Sequence, residues 1–93
     1  MDSIPAYSVI RGNVNGRLAS LEQLKSVLSL QLHPVDINEI DGLKLIFRDG
    51  WLLVRPSGTE PKIRLTVECT KEPAARHYFD VLENIVKQII EGR

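Results

Sequence analysis

The stretch "LKLIFRDGWLLV", Leu43 to Val54, constrains the fold of this chain more than any other. Two apolar, β-prone runs flank Asp49-Gly50, a dipeptide that favours a two-residue type I′ hairpin turn because both central residues need positive φ. With those two as the loop, Arg48 falls opposite Trp51, Phe47 opposite Leu52, Leu45 opposite Val54 and Lys44 opposite Arg55. Paired residues share a face. One face then carries Leu43, Leu45, Phe47, Leu52 and Val54, all apolar. The other carries Lys44, Ile46, Arg48, Trp51, Leu53 and Arg55, a cationic face that also holds three large apolar groups.

The neighbouring segments supply partners for such a hairpin. "KIRLTVECT", Lys62 to Thr70, alternates without a break: Ile63, Leu65, Val67 and Cys69 point one way, and Lys62, Arg64, Thr66, Glu68 and Thr70 the other. "YSVIRGNVN", Tyr7 to Asn15, reads as a further strand, weakened by Gly12, with Asn15-Gly16 as a turn. "SLEQLKSVLSLQL" reads as a helix over residues 21–32. Ser20 and Gln23 have capping-box spacing, Leu21, Leu24, Val27, Leu28 and Leu32 form one stripe, and Pro34 ends it. "PVDINEIDG" reads as a connection. Glu72 and Pro73 open a second helix whose stripe runs from Ala75 through Tyr78, Phe79, Leu82, Ile85 and Val86 to Ile89 and Ile90. The expected order is β-α-β-β-β-α. The expected class is α+β: a four-stranded, mainly antiparallel sheet with both helices packed on one face.

At 93 residues the chain is one domain, with residues 1–6 as a linker or tail and 7–93 as the folded unit. Its 43% hydrophobic and 26% charged content is ordinary for a globular domain. Twelve basic residues balance twelve acidic ones, so global charge favours neither nucleic acid nor membrane. A single cysteine, Cys69, allows neither an intrachain disulfide nor a thiolate metal cage, and reads as a small buried hydrophobe. His33 reads as a helix-end residue, and His77 and the Asp36, Glu39 and Asp41 cluster read as solvated. No run approaches the ~20 apolar residues of a membrane span. A cytoplasmic protein is the expectation.

"RPSGTEPKIR", Arg55 to Arg64, holds more turn chemistry and positive charge than a hairpin needs. An oxyanion such as phosphate wants N–H donors converging from several directions, plus positive charge. The backbone N–H groups of Ser57, Gly58, Thr59 and Glu60 are candidate donors, with Gly58 permitting a nest-like concavity. Ser57 and Thr59 add hydroxyls. Arg55 and Arg64 flank the loop and suit bidentate phosphate contacts, and Pro56 and Pro61 limit its freedom. Both arginines fall on the non-core face beside Lys44 and Lys62, with Glu60 placed to restrain one of them. A rival reading is a stand-alone anion or nucleic-acid binding module using that cationic face. A third is a pure interaction domain.

"DGWLLVRPSGTEPKIR" resembles the phosphate-binding loop and preceding strand of the α-D-phosphohexomutases, the phosphoglucomutase, phosphomannomutase and phosphoglucosamine mutase superfamily. The leading "IPAY" resembles the linker into their fourth, C-terminal domain, and the order of elements agrees over most of the chain. The resemblance implies a TATA-binding-protein-like fold. It implies a parent enzyme that moves a phosphoryl group between the 1- and 6-positions of a hexose phosphate. There a phosphoserine donates, a bisphosphorylated sugar forms and reorients, and magnesium assists. Arg55, Ser57, Gly58 and Thr59 would grip the phosphate that is not reacting, with Arg64 supporting the loop or the same phosphate. The family's serine, metal and sugar-recognition loops have no counterpart here. The expectation is therefore a domain of a longer protein that lacks mutase activity alone, needs no metal of its own, and partners a hexose phosphate and the other domains of its parent. Ile46, Trp51 and Leu53 are expected to pack against the linker or those neighbouring domains.

Overall fold

The computed structural model describes residues 7–92; the expected linker over residues 1–6 lies outside the described residues. The chain runs β1 (Ser8–Asn15), α1 (Leu21–Leu32), β2 (Asp36–Asn38), β3 (Leu43–Phe47), β4 (Gly50–Pro56), β5 (Lys62–Cys69) and α2 (Glu72–Ile90). The strands form one antiparallel sheet in the order β1-β5-β4-β3-β2. The α+β class and the two helices match the sequence reading. The strand count does not: five strands replace the expected four, because "DIN" in the supposed connection pairs with β3 as an edge strand. Three residues, only one of them apolar, carry too little alternation to be recognised.

The helices begin and end where their caps dictate. Ser20 Oγ accepts from the Glu22 N–H at 3.1 Å, fixing the start of α1. His33 closes it in the left-handed conformation with φ 52°, its N–H donating to the Ser29 carbonyl, before Pro34. In α2 a proline sits in the first turn and the stripe Ala75, Phe79, Leu82, Ile85 and Val86 is buried. Those side chains and Leu24 and Leu28 of α1 meet the sheet face bearing Leu43, Leu45, Leu52, Val54, Ile63, Leu65 and Val67. Gly12 in β1 admits α2: a Cβ there would lie 2.7 Å from Phe79 Cζ. No polar or charged residue is buried among the described residues, so every charge is left at the surface.

The hairpin register is a correction. Phe47 pairs with Gly50, Ile46 with Trp51, Leu45 with Leu52, Lys44 with Leu53 and Leu43 with Val54, two residues away from the expected pairing. Arg48 and Asp49 form the turn and neither takes positive φ, so no type I′ turn exists here. Gly50 is needed for a different reason. It lies in β4 opposite Cys69, where a Cβ would overlap the Glu68 carbonyl oxygen and sit 2.7 Å from Cys69 Sγ. Asp49 ties the turn down, its carbonyl accepting from the Thr70 N–H at 2.9 Å and its carboxylate from the Tyr78 hydroxyl at 3.1 Å. Because the shift is even, every side chain keeps its expected face.

Tyr78 stacks on Phe47 with ring centroids 4.4 Å apart. Burial, then the hydrogen bond to Asp49, pushes its hydroxyl from 10.0 up to about 12. Burial also pushes the Cys69 thiol from 9.0 up to about 11, with the Asp49 and Glu68 charges adding to it. Both groups are neutral when protonated, and folding favours that form. Their stabilisation is complete below pH 9.0 and is lost as pH rises through about 11 and about 12. Urea midpoints should therefore fall on the alkaline side, and Tyr78→Phe should flatten the part of the fall between 10.0 and about 12. A second expectation concerns Gly50. Gly50→Ala should destabilise by about 2–4 kcal/mol, since backbone must move, whereas Gly58→Ala should stay within about 0.5 kcal/mol. Denaturant melts of the two variants check this.

Candidate functional site

The sheet face away from the helices is organised in rows that cross the strands. One row runs Val9, Glu68, Trp51, Ile46 and Asp36; the next runs Arg11, Thr66, Leu53, Lys44 and Asn38. The third, at the end nearest the β4–β5 loop, runs Asn13, Arg64 and Arg55. The apolar groups thus lie toward the hairpin end and the cations toward the loop. Trp51, Ile46 and Leu53 are half-buried, with Lys44 Nζ 4.6 Å from the centre of the Trp51 ring.

The direct opposition of Arg55 and Arg64 is the site's most informative feature. Both are exposed, and among the described residues no carboxylate comes within ion-pair range of either. Like charges in directly opposite cross-strand positions are destabilising by an amount comparable to the ~0.2–1 kcal/mol that a favourable pair contributes. Glu60, expected to restrain one arginine, forms no such pair, although it lines the same depression. Elsewhere the fold does pair its charges: Lys25 reaches Glu39 at 3.1 Å, and Arg76 and Lys87 face carboxylates one helical turn away.

The loop between these arginines is five residues long, 57–61, and is anchored at both ends. The Ser57 N–H donates to the Lys62 carbonyl at 2.9 Å, extending the ladder past Pro56. The Pro61 carbonyl accepts from the Gly16 N–H at 2.6 Å, and the Lys62 N–H donates to Glu60 at 2.7 Å. Inside the loop, Ser57 Oγ accepts from the Thr59 N–H at 3.4 Å and the Glu60 N–H at 3.2 Å.

The four amides expected to converge on an anion are thus not equivalent. Ser57 N–H is committed to the sheet, Thr59 and Glu60 are held by a serine hydroxyl over long distances, and Gly58 N–H has no partner among the described bonds. Serine followed two and three residues later by amides it can cap is a known local turn, and that pattern was the available signal. Gly58 does not have positive φ, and a Cβ there would meet nothing within 4 Å. The fold itself gives no reason for a glycine at that position.

Two adjoining depressions result. The smaller, about 260 Å³, is lined by Arg55, Pro56, Ser57, Gly58 and Arg64. The larger, about 450 Å³, lies on the sheet face and shares Arg55 and Arg64 with it. Arg11 and Asn13 of β1 line the larger one and went unnoticed in the sequence. Only the β1–β5 pairing brings them beside Arg64. Among the described residues no three His, Cys, Asp or Glu side chains group to hold a metal ion, and no helix is long and apolar enough to cross a membrane.

Removing one of the opposed charges should not harm the ligand-free fold. Arg64→Gln is expected to leave stability unchanged or raise it by about 0.2–1 kcal/mol at low ionic strength. Added salt should shrink that gain. Denaturant midpoints at two salt concentrations test this; a marked loss of stability would make Arg64 a structural residue.

Comparison with known proteins gives a consistent result. The sequence profile of the phosphoglucomutase/phosphomannomutase C-terminal domain matches residues 10–85. A probable phosphoglucosamine mutase of Methanopyrus kandleri is 39% identical over 90 residues, covering 95% of this chain and 20% of that protein. One from Methanocella arvoryzae is 34% identical over 91 residues, covering 96% and 21%. A phosphoglucomutase/phosphomannomutase of Thermococcus kodakarensis is 45% identical over 56 residues, covering 60% and 12%. The chain spans about a fifth of the length of the first of these relatives.

Proposed function

The chain belongs to the phosphoglucomutase/phosphomannomutase C-terminal domain family, and we propose that its β4–β5 loop holds the phosphate group of a hexose phosphate that is not being transferred. The observation that carries this reading is the opposition of Arg55 and Arg64 with no carboxylate between them. A dianion placed at the loop mouth turns a repulsion into two attractions. Arg55 and Arg64 supply charge and bidentate donors from rigid strands. Ser57 contributes its hydroxyl proton, because both lone pairs of that oxygen already accept amides. The unpartnered Gly58 N–H and the Thr59 hydroxyl complete the set. Any three or four bonds from this set, each worth roughly 1.5–3 kcal/mol, position a phosphate but do not hold a large substrate unaided.

The parent protein, on this reading, is a hexose-phosphate mutase of the kind its relatives are named for. Its other domains carry the phosphoserine and any magnesium; the chemistry assigned to this chain is binding, with no step through a metal. Gripping the remote phosphate spends binding energy away from the reacting end to orient that end. The half-buried Trp51, Ile46 and Leu53 are the surface against which those domains would pack. A nucleic-acid role has less support: Trp51 is the only aromatic on the open face of the described strands, and Lys44 lies over it.

Titration of the 93-residue chain with inorganic phosphate, glucose 1-phosphate and a single-stranded oligonucleotide tests the assignment. Both phosphates should shift the amide resonances of residues 57–60. Arg64→Gln should weaken both by about tenfold or more, the equivalent of one charged hydrogen bond. Absence of any shift in the loop at millimolar phosphate, or shifts spread over the sheet with oligonucleotide alone, would overturn it.

A further inference from the structure

We propose that the cations gathered around Arg64 on the open sheet face bind a diphosphate group, which lies across the two depressions and competes there with the hexose phosphate. The inference rests on the phosphate reading above and extends it to control of that site by a second class of anion.

Placement is the first argument. Arg64 has three cationic neighbours on its own face. Arg55 lies directly opposite it on β4. Arg11, opposite Thr66, is its diagonal neighbour on β1, at the ~7–8 Å spacing of such pairs. Lys62 stands two residues before it on β5, so the two share a face about 7 Å apart. All four are exposed, and among the described residues no carboxylate comes within ion-pair range of any of them. The core therefore gains nothing from grouping them.

Charge is the second argument. The larger depression, about 450 Å³, is lined by all four cations and by one carboxylate, Glu60. The smaller, about 260 Å³, has only Arg55 and Arg64 of that group. A single phosphate between those two arginines leaves Arg11 and Lys62 unmatched, and Glu60 offsets only one of them. A diphosphate carries its further negative charge on a second phosphoryl group, joined to the first through one oxygen. With the first group at the loop mouth, the second enters the larger depression. There Arg11 offers a planar fork of donors and Lys62 a compact ammonium. Asn13 and Thr66, on the same lining, add an amide and a hydroxyl donor. Because a diphosphate and a hexose phosphate both need Arg55 and Arg64, each excludes the other.

Inorganic phosphate, inorganic diphosphate and adenosine diphosphate, titrated into the 93-residue chain at matched ionic strength, test this. Phosphate and diphosphate should both shift amides 57–60, and diphosphate alone should add shifts at 11–13 and 62–66. Diphosphate should bind about tenfold tighter, the equivalent of one added charged hydrogen bond, and should displace glucose 1-phosphate. Arg11→Gln and Lys62→Gln should each remove most of that preference. Arg76→Gln, on α2 and paired with Asp80, should leave it intact. Adenosine diphosphate binding as tightly as the inorganic anion assigns the site to diphosphate esters as well; binding of the inorganic anion alone assigns it to the free ion. Equal affinity for phosphate and diphosphate, with shifts confined to the loop, would overturn the diphosphate site and leave the phosphate site standing. So would an equal loss of preference in Arg76→Gln, which would make net charge the cause, or simultaneous binding of diphosphate and glucose 1-phosphate. Failure of every anion to perturb 57–60 would overturn the phosphate site and the diphosphate site with it.

Discussion

The pairing of β4 with β5 is the constraint on which both the core and the site depend. At one end Gly50 lets the two backbones close up against Cys69; from there the ladder runs in register to Pro56 and Ile63. The side chains alternate along it, so the pairings that send Leu52, Val54, Leu65 and Val67 under the helices also leave Arg55 facing Arg64 at the far end. A shift by one residue would exchange the two faces and bury the arginines. The repulsion between them therefore cannot be relieved by sliding the strands. It is small beside the 5–15 kcal/mol of a typical domain's stability, so the fold tolerates it without a compensating acid.

Much of this was legible in the sequence because the main elements are strongly periodic. β5 alternates over its whole length, and α1 and α2 carry both stripes and stop signals, so their spans agree with the reading to within a residue or two. The hairpin register was not legible. Asp-Gly has two explanations, positive φ or missing bulk, and only the second applies at Gly50, where the obstacle is the carbonyl of a residue eighteen positions away. Gly12 repeats the lesson: it reads as a weakness in β1 and is the space that Phe79 occupies. β2 escaped because an edge strand of three residues is specified by its partner's free edge more than by its own composition.

The site divides along the same line. Its side-chain chemistry was visible, since arginines, hydroxyls and a glycine in one connection are read directly. The disposition of its backbone was not, because Ser57 both extends the ladder and caps two amides, and which of these wins is decided by strand geometry. Arg11 and Asn13 are separated from the loop by more than forty residues and reach it only through the β1–β5 ladder.

The proposed site is built from two kinds of donor. Arg55 and Arg64 stand opposite each other on paired strands and, on that reading, fix where an anion rests. The Thr59 and Glu60 amides are held by a neutral hydroxyl at 3.4 and 3.2 Å, at or beyond the usual limit for such bonds. Gly58 lies between the anchored ends at Ser57 and Lys62, and a Cβ there would meet nothing within 4 Å. With both lone pairs of Ser57 Oγ accepting amides, its own proton is the group left to donate to an anion on the proposed reading.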